Sequence, residues 1–206
     1  MASKEFEAIQ ETLKRTVAVL RGAGVDFLLG GSLASWARGG PETSHDLDLL
    51  LTHENAERAL TALGEAGMRT ERPVEGWLYK AWDGDVLVDL IFGPSGLVVD
   101  EVIARGEDLP VLGMTLPTMA LEDVLATKLL ALSEHRIEYT APLQTARALR
   151  EQIDWRRLRE QTRGSAYADA FFVLLEGLGV ITDQSFAGAG AGVRVVDPPR
   201  PIRETG

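Results

Sequence analysis

The chain has 206 residues, 45% of them hydrophobic and 25% charged, and a formal net charge of −10. That length allows one substantial core, or a core with a packed helical extension, and the composition is that of a soluble globular protein. The acidic balance argues against coating nucleic acid by bulk electrostatics, and the lack of cysteine excludes disulfide frameworks and thiolate zinc sites.

From about Lys4 to Arg21, apolar residues at Phe6, Ile9, Leu13, Val17 and Leu20 recur at helical spacing, and Gly22 and Gly24 end the pattern. Val25 to Leu29 reads as a short buried strand, followed at once by Gly30-Gly31-Ser32, with Ser32 placed to cap a helix over LASWA. GGPET (39–43) is a loop, Asp46 to Leu51 a second strand, and Thr52 an N-cap for a helix from Glu54 to Gly64. Trp77 to Trp82 and Val86 to Phe92 are strand-like runs, and the Asp83-Gly84-Asp85 between them signals a hairpin.

Beyond Pro117 the pattern turns helical, over Thr118 to Leu132, about Pro142 to Glu151, Trp155 to Gln161 and Ala166 to Leu178. The tail from about Ser185 alternates Ala and Gly and then becomes proline-rich, too poor in periodic apolar residues to pack. The expected organisation is an α/β core over 1–115, a helical lobe over 116–184 and a disordered tail over 185–206. No apolar stretch approaches the roughly 20 residues of a membrane span and the N-terminus is not signal-like, so a cytoplasmic protein is expected.

Asp46 and Asp48 in HDLDLLL leave the same face of a strand, which brings two carboxylates together. An oxygen-only donor set suggests magnesium or manganese; a strand end with two solvated acids fits the same spacing. Asp89 interrupts an otherwise apolar run and needs either a metal or a buried cationic partner. Glycines at 30 and 31 let backbone approach a phosphate closely. Lys128 shares a helix face with Val124, Leu125 and Leu132, where it either reaches a phosphate or carboxylate or extends to the lobe boundary, and Lys80 is a second candidate. Trp36, Trp77, Trp82 and Trp155 offer stacking surface for a base or fill the core, and His45 is placed to orient Asp46 or touch substrate.

LLGGSLASWARGGPETSHDLDLLL (28–51) and VLVDLIF (86–92) resemble the nucleotidyltransferase superfold related to DNA polymerase β, over roughly residues 20 to 95. The resemblance implies a mixed-sheet core followed by a helical lobe, and a nucleoside triphosphate as co-substrate. Gly30, Gly31, Ser32 and Lys128 would bind the nucleotide. Asp46, Asp48 and Asp89 would hold Mg2+ or Mn2+, two ions roughly 4 Å apart supporting in-line attack on the α-phosphorus.

Size and the helical lobe are similar to minimal bacterial nucleotidyltransferases of the abortive-infection and toxin–antitoxin type, including mycobacterial toxins that modify transfer RNA. LEDVLATKLLAL (121–132) is similar to their lysine-bearing helix, whereas Thr43-Ser44-His45 and IEYTAPLQTARAL depart from their pattern. That likeness implies tRNA as acceptor and a cognate antitoxin as partner. The segment Arg136 to Arg163, with seven arginines against four acids, either offers a cationic surface for it or is a solvated helix face laced with i,i+4 pairs. An antibiotic nucleotidyltransferase acting on aminoglycosides or lincosamides fits the acidic surface instead. A non-catalytic binding module of the same fold is the third alternative.

Overall fold

The computed structural model describes residues 4–42 and 46–186. Helix α1 (Lys4–Gly22) buries Phe6, Ile9, Leu13, Val17 and Leu20 along one stripe, the consequence of their three-and-four spacing. Strand β1 (Leu28–Leu29) is shorter than its apolar run, because the Val25 N–H is taken by the Leu20 carbonyl at the end of α1 and sheet pairing begins only at Leu28. Helix α2 (Gly31–Trp36) has Gly30 at its N-cap, so Ser32 lies within the first turn and does not cap it. Strand β2 (Leu47–Leu50) leads to α3 (His53–Glu65), capped as expected by Thr52, whose hydroxyl accepts from the Asn55 N–H.

Strands β3 (Arg69–Glu71), β4 (Leu78–Asp83) and β5 (Val86–Ile91) follow, and the β4–β5 hairpin closes over Gly84-Asp85 with Asp83 opposite Val86. Helix α4 (Val99–Ala104) precedes a second hairpin, β6 (Glu107–Val111) and β7 (Met114–Thr118). Thr118 therefore ends a strand, paired with Leu29, and does not open the next helix. Helices α5 (Leu121–Leu130), α6 (Thr140–Leu149), α7 (Trp155–Gln161) and α8 (Ala166–Gly177) complete the chain with a 3-10 turn over Asp183–Phe186. Most of the expected disordered tail, from residue 187, lies outside the described residues.

The seven strands form one mixed sheet in the order β3-β4-β5-β2-β1-β7-β6. One face packs on α1 and α3: Leu47, Leu49, Tyr79, Ala81, Val88 and Leu90 join the α1 stripe and Ala56, Ala59, Leu60 and Leu63 in the main core. Burying each of these leucines contributes roughly 1.5–3 kcal/mol before chain entropy is set against it. A second core, built on Leu125, Leu129, Trp155, Leu158, Phe171 and Phe172, holds α5 to α8 together. Leu28, Leu50, Met119 and Val124 form a smaller cluster that joins the sheet to α5. No helix among the described residues is long and apolar enough to cross a membrane.

Candidate active site

Strand alternation puts Leu47 and Leu49 of β2, and Val88 and Leu90 of β5, into the core, so Asp48 and Asp89 leave by the opposite face. Parallel pairing of β2 with β5 sets Asp48 directly beside Asp89 in register. On the other side of β5, Lys80 of β4 is the register partner of Asp89, with Nζ 3.7 Å from Oδ1. That is an ion pair without a hydrogen bond, and Asp89 Oδ1 is a buried oxygen with no hydrogen-bond partner. Asp46 is exposed just ahead of β2, and its negative charge reaches both other carboxylates. His45 lies outside the described residues.

Burial is the main force on these acids. It pushes the Asp48 carboxyl up to about 6, against the attraction of Lys128 and with the repulsion of Asp89 and Asp46 added to it. Asp89 is likewise raised, first by burial, with Lys80 opposing and Asp46 adding.

The glycine turn is built onto the same carboxylate. The Gly30 N–H donates to the Asp48 carbonyl at 2.9 Å, continuing the β1–β2 pairing beyond the strand. Gly31 takes φ +57, and a Cβ there would fall 1.7 Å from Asp48 Oδ2. Only glycine satisfies both the backbone conformation and the approach to the carboxylate. Across from the turn, Lys128 of α5 brings Nζ within 3.4 Å of Ser32 Oγ and within electrostatic reach of Asp48.

Gly30, Gly31, Asp48 and Lys128 line a cavity of about 190 Å³ together with Leu50, Trp77, Ile91, Pro94 and Met119. The structure thus brings together Gly30, Gly31, Ser32, Asp48, Asp89 and Lys128, with Asp46 at the margin. Lys80, weighed in the sequence as a lesser candidate, stands beside Asp89. Trp77, one of the four tryptophans weighed in the sequence for stacking or core, lines the wall, and Met119 is an additional wall residue that nothing in its spacing marks for a site.

No group of three or more His, Asp or Glu side chains among the described residues forms a ready metal cage. A magnesium-type cation does not need one, since it is commonly held by one or two carboxylates together with substrate phosphates. Adjacent carboxylates that repel each other, one with an unsatisfied buried oxygen, are a donor set that suits such a cation.

Helix α5, which carries Lys128, is fixed at its N-terminal end by a second acid cluster. Asp123 is fully buried and accepts from Arg105 Nε at 3.0 Å, from Arg105 Nη2 at 2.9 Å and from Gln161 Nε2 at 2.5 Å. Glu122 accepts the Asp154 N–H at 2.7 Å. In the sequence these acids look like ordinary first-turn residues that favour a helix dipole. The arginine-rich segment is partly self-neutralised: Arg150 pairs with Glu151, Arg163 with Glu160, and Arg159 with Glu176 while also facing the Phe172 and Phe186 rings.

A family model described as "Nucleotidyl transferase of unknown function (DUF2204)" matches residues 9–170. The chain belongs to this nucleotidyl transferase family. No curated protein matches its sequence. Among solved structures, the nucleotidyl transferase is similar to ANT(2")-Ia in complex with adenylyl-2"-tobramycin, with 14% identity and a TM-score of 0.61 over 79% of this chain and 98% of that one. The solution structure of the antibiotic-resistance factor ANT(2'')-Ia gives 15% identity and a TM-score of 0.60 over 82% and 96%. An antigenic nucleotidyltransferase-like protein from Paracoccidioides brasiliensis gives 14% identity and a TM-score of 0.54 over 89% and 92%. At these identities the likeness is one of fold. The mixed sheet with its helical C-terminal region is the nucleotidyltransferase architecture.

Proposed function

We propose that the protein transfers a nucleoside monophosphate from a nucleoside triphosphate to a hydroxyl of a small polar acceptor. The observation that carries this reading is the Asp48–Asp89 pair, side by side in register and raised by burial, next to a cavity lined by Gly30, Gly31 and Lys128. Gly30, Gly31 and Ser32 position the triphosphate, and Lys128 offsets charge on it. Asp89 orients the acceptor hydroxyl and takes its proton as the oxygen–phosphorus bond forms; the bond from the α-phosphorus to the bridging oxygen breaks and pyrophosphate leaves. Asp48, with Asp46 and Asp89, would hold Mg2+ or Mn2+, which when bound neutralises phosphate charge and polarises the reacting oxygens.

A small acceptor is favoured by the acidic chain, by the pairing of Arg150, Arg159 and Arg163 with acids, and by fold likeness to a structure bound to an adenylylated tobramycin. A second reading keeps tRNA as acceptor, with toxin activity and a cognate antitoxin. It is motivated by Arg147 and Arg156, which are exposed and have no acidic partner among the described residues.

The test is incubation with each α-labelled nucleoside triphosphate and magnesium or manganese, offering aminoglycosides and lincosamides in one arm and total tRNA in the other. Label on a drug, absent with Asp48→Ala, is the expected result. Label confined to tRNA replaces the first reading with the second. No transfer to either acceptor and no pyrophosphate release by folded protein would sink both, leaving a non-catalytic binding module.

A further inference from the structure

The cavity at the glycine turn is lined by two kinds of residue. Gly30, Gly31, Asp48 and Lys128 supply polar groups, whereas Leu50, Ile91, Pro94, Met119 and Trp77 supply apolar surface. Trp77 is the unusual wall residue. Its backbone is held firmly, because its carbonyl accepts from both the Phe92 and Gly93 N–H groups at 3.0 Å. Its side chain is nevertheless 42% exposed.

The other tryptophans all have partners. Trp36 stands edge-on to Phe6 at 5.0 Å, Trp82 lies 3.5 Å under the Arg69 guanidinium, and Trp155 Nε1 donates to the Arg150 carbonyl at 3.1 Å. The Trp77 side chain has no ring, cation or hydrogen-bond partner among the described residues. A large aromatic surface on a fixed backbone, left bare in the wall of a cavity, is a stacking platform.

The occupant follows from the polar groups that line the same cavity as Trp77. A molecule with phosphates at Lys128 and the glycine turn, and a flat apolar body against Trp77, is a nucleotide. We propose that the nucleobase of the bound nucleoside triphosphate stacks on Trp77, and that the site discriminates little among the four common bases. This rests on the proposed function and assigns the base end of its site.

The weak base selectivity follows from the walls. Stacking tolerates any base, because every base has a π-face, whereas strong selection requires side-chain donors and acceptors aimed at the base edge. Apart from Asp48 and Lys128, the polar side chains lining the cavity are Ser95 and Thr127, and the Thr127 hydroxyl already donates to the Val124 carbonyl at 2.9 Å.

Calorimetric titration in magnesium tests the assignment, using ATP, GTP, CTP, UTP and inorganic tripolyphosphate with wild type, Trp77→Ala, Trp77→Phe and Lys128→Met. Trp77→Ala is expected to weaken every nucleotide roughly tenfold and to change tripolyphosphate by less than about twofold, while Trp77→Phe restores most of the loss. Lys128→Met should weaken tripolyphosphate and nucleotides together. Nucleotide affinity unchanged in Trp77→Ala overturns the stacking assignment while leaving the proposed function in place, and so does an equal loss for tripolyphosphate. One base binding more than about 100-fold above the others overturns the selectivity. If wild type binds neither nucleotides nor tripolyphosphate, the proposed function falls and this inference with it.

Discussion

Two aspartates sunk in the same molecule are treated in opposite ways. Asp123 is fully buried, and the fold surrounds it with donors: the Nε and Nη2 groups on one edge of the Arg105 guanidinium and the Gln161 amide. The pairing in turn pushes the Arg105 guanidinium above its ordinary range, chiefly through its hydrogen bond to Asp123. Asp48 is half-buried, has no side-chain hydrogen bond among the described residues, and faces a second acid across the strand pair. The first carboxylate is completed by the protein. The second has only the attraction of Lys128 to offset its burial and the neighbouring acids among the described residues, the arrangement that the proposed function requires.

The same substitution at both positions tests this contrast. On the proposed function, Asp48→Asn is expected to lower turnover by on the order of a thousandfold or more, since it removes a carboxylate proposed to act at the reacting phosphate, and circular dichroism should report an intact fold. Asp123→Asn is expected to lower the unfolding free energy by about 3 kcal/mol or more, because it breaks a buried ion pair and leaves Arg105 with only its exposed partner Glu101, 3.7 Å away. Denaturant titration measures that loss. A double replacement, Asp123→Leu with Arg105→Met, should recover most of it, as removing both charges spares the fold an unpaired one. If the double variant is no more stable than the single, Asp123 is held by packing rather than by its ion pair.

What could be read beforehand divides along a similar line. Asp48 and Asp89 were legible because alternation fixes a strand's faces, and a charge in an apolar run has few explanations. The β4–β5 hairpin was legible from Asp83-Gly84-Asp85. The hairpin of β6 and β7 was not: Pro110 and Pro117 count against strands, and its turn puts Leu112 at φ +51, where asparagine or glycine would be the usual signal. Both prolines are tolerated because β6 is an edge strand and β7 meets β1 only through the Leu29–Thr118 pair. The short exposed strand β3 has no periodicity to read. Lys80 beside Asp89, Arg105 on Asp123, and Trp77 in one cavity with Lys128 depend on strand register and helix docking, which linear spacing does not encode.

The smallest effect separates the two aspartates most directly, because it has the opposite sign to the loss at Asp123. A carboxyl raised from 3.8 in the unfolded chain to about 6 in the folded one makes the native state bind its proton more tightly. Its ionisation therefore destabilises the metal-free protein fully above about pH 6, less and less as pH falls from 6 toward 3.8, and not at all below that. Asp48→Asn removes the charge at every pH. At pH 8 the metal-free variant should accordingly be more stable than wild type by about 1–3 kcal/mol, and the gap should close as pH is lowered through 6. Thermal melts of both proteins from pH 8 to pH 5 in chelator measure it. Adding magnesium with nucleoside triphosphate should raise the melting temperature of wild type and narrow the difference at pH 8, because a ligand that favours the ionised carboxylate stabilises only the protein that has one. A variant less stable than wild type at pH 8 would mean that Asp48, like Asp123, is satisfied by the fold itself.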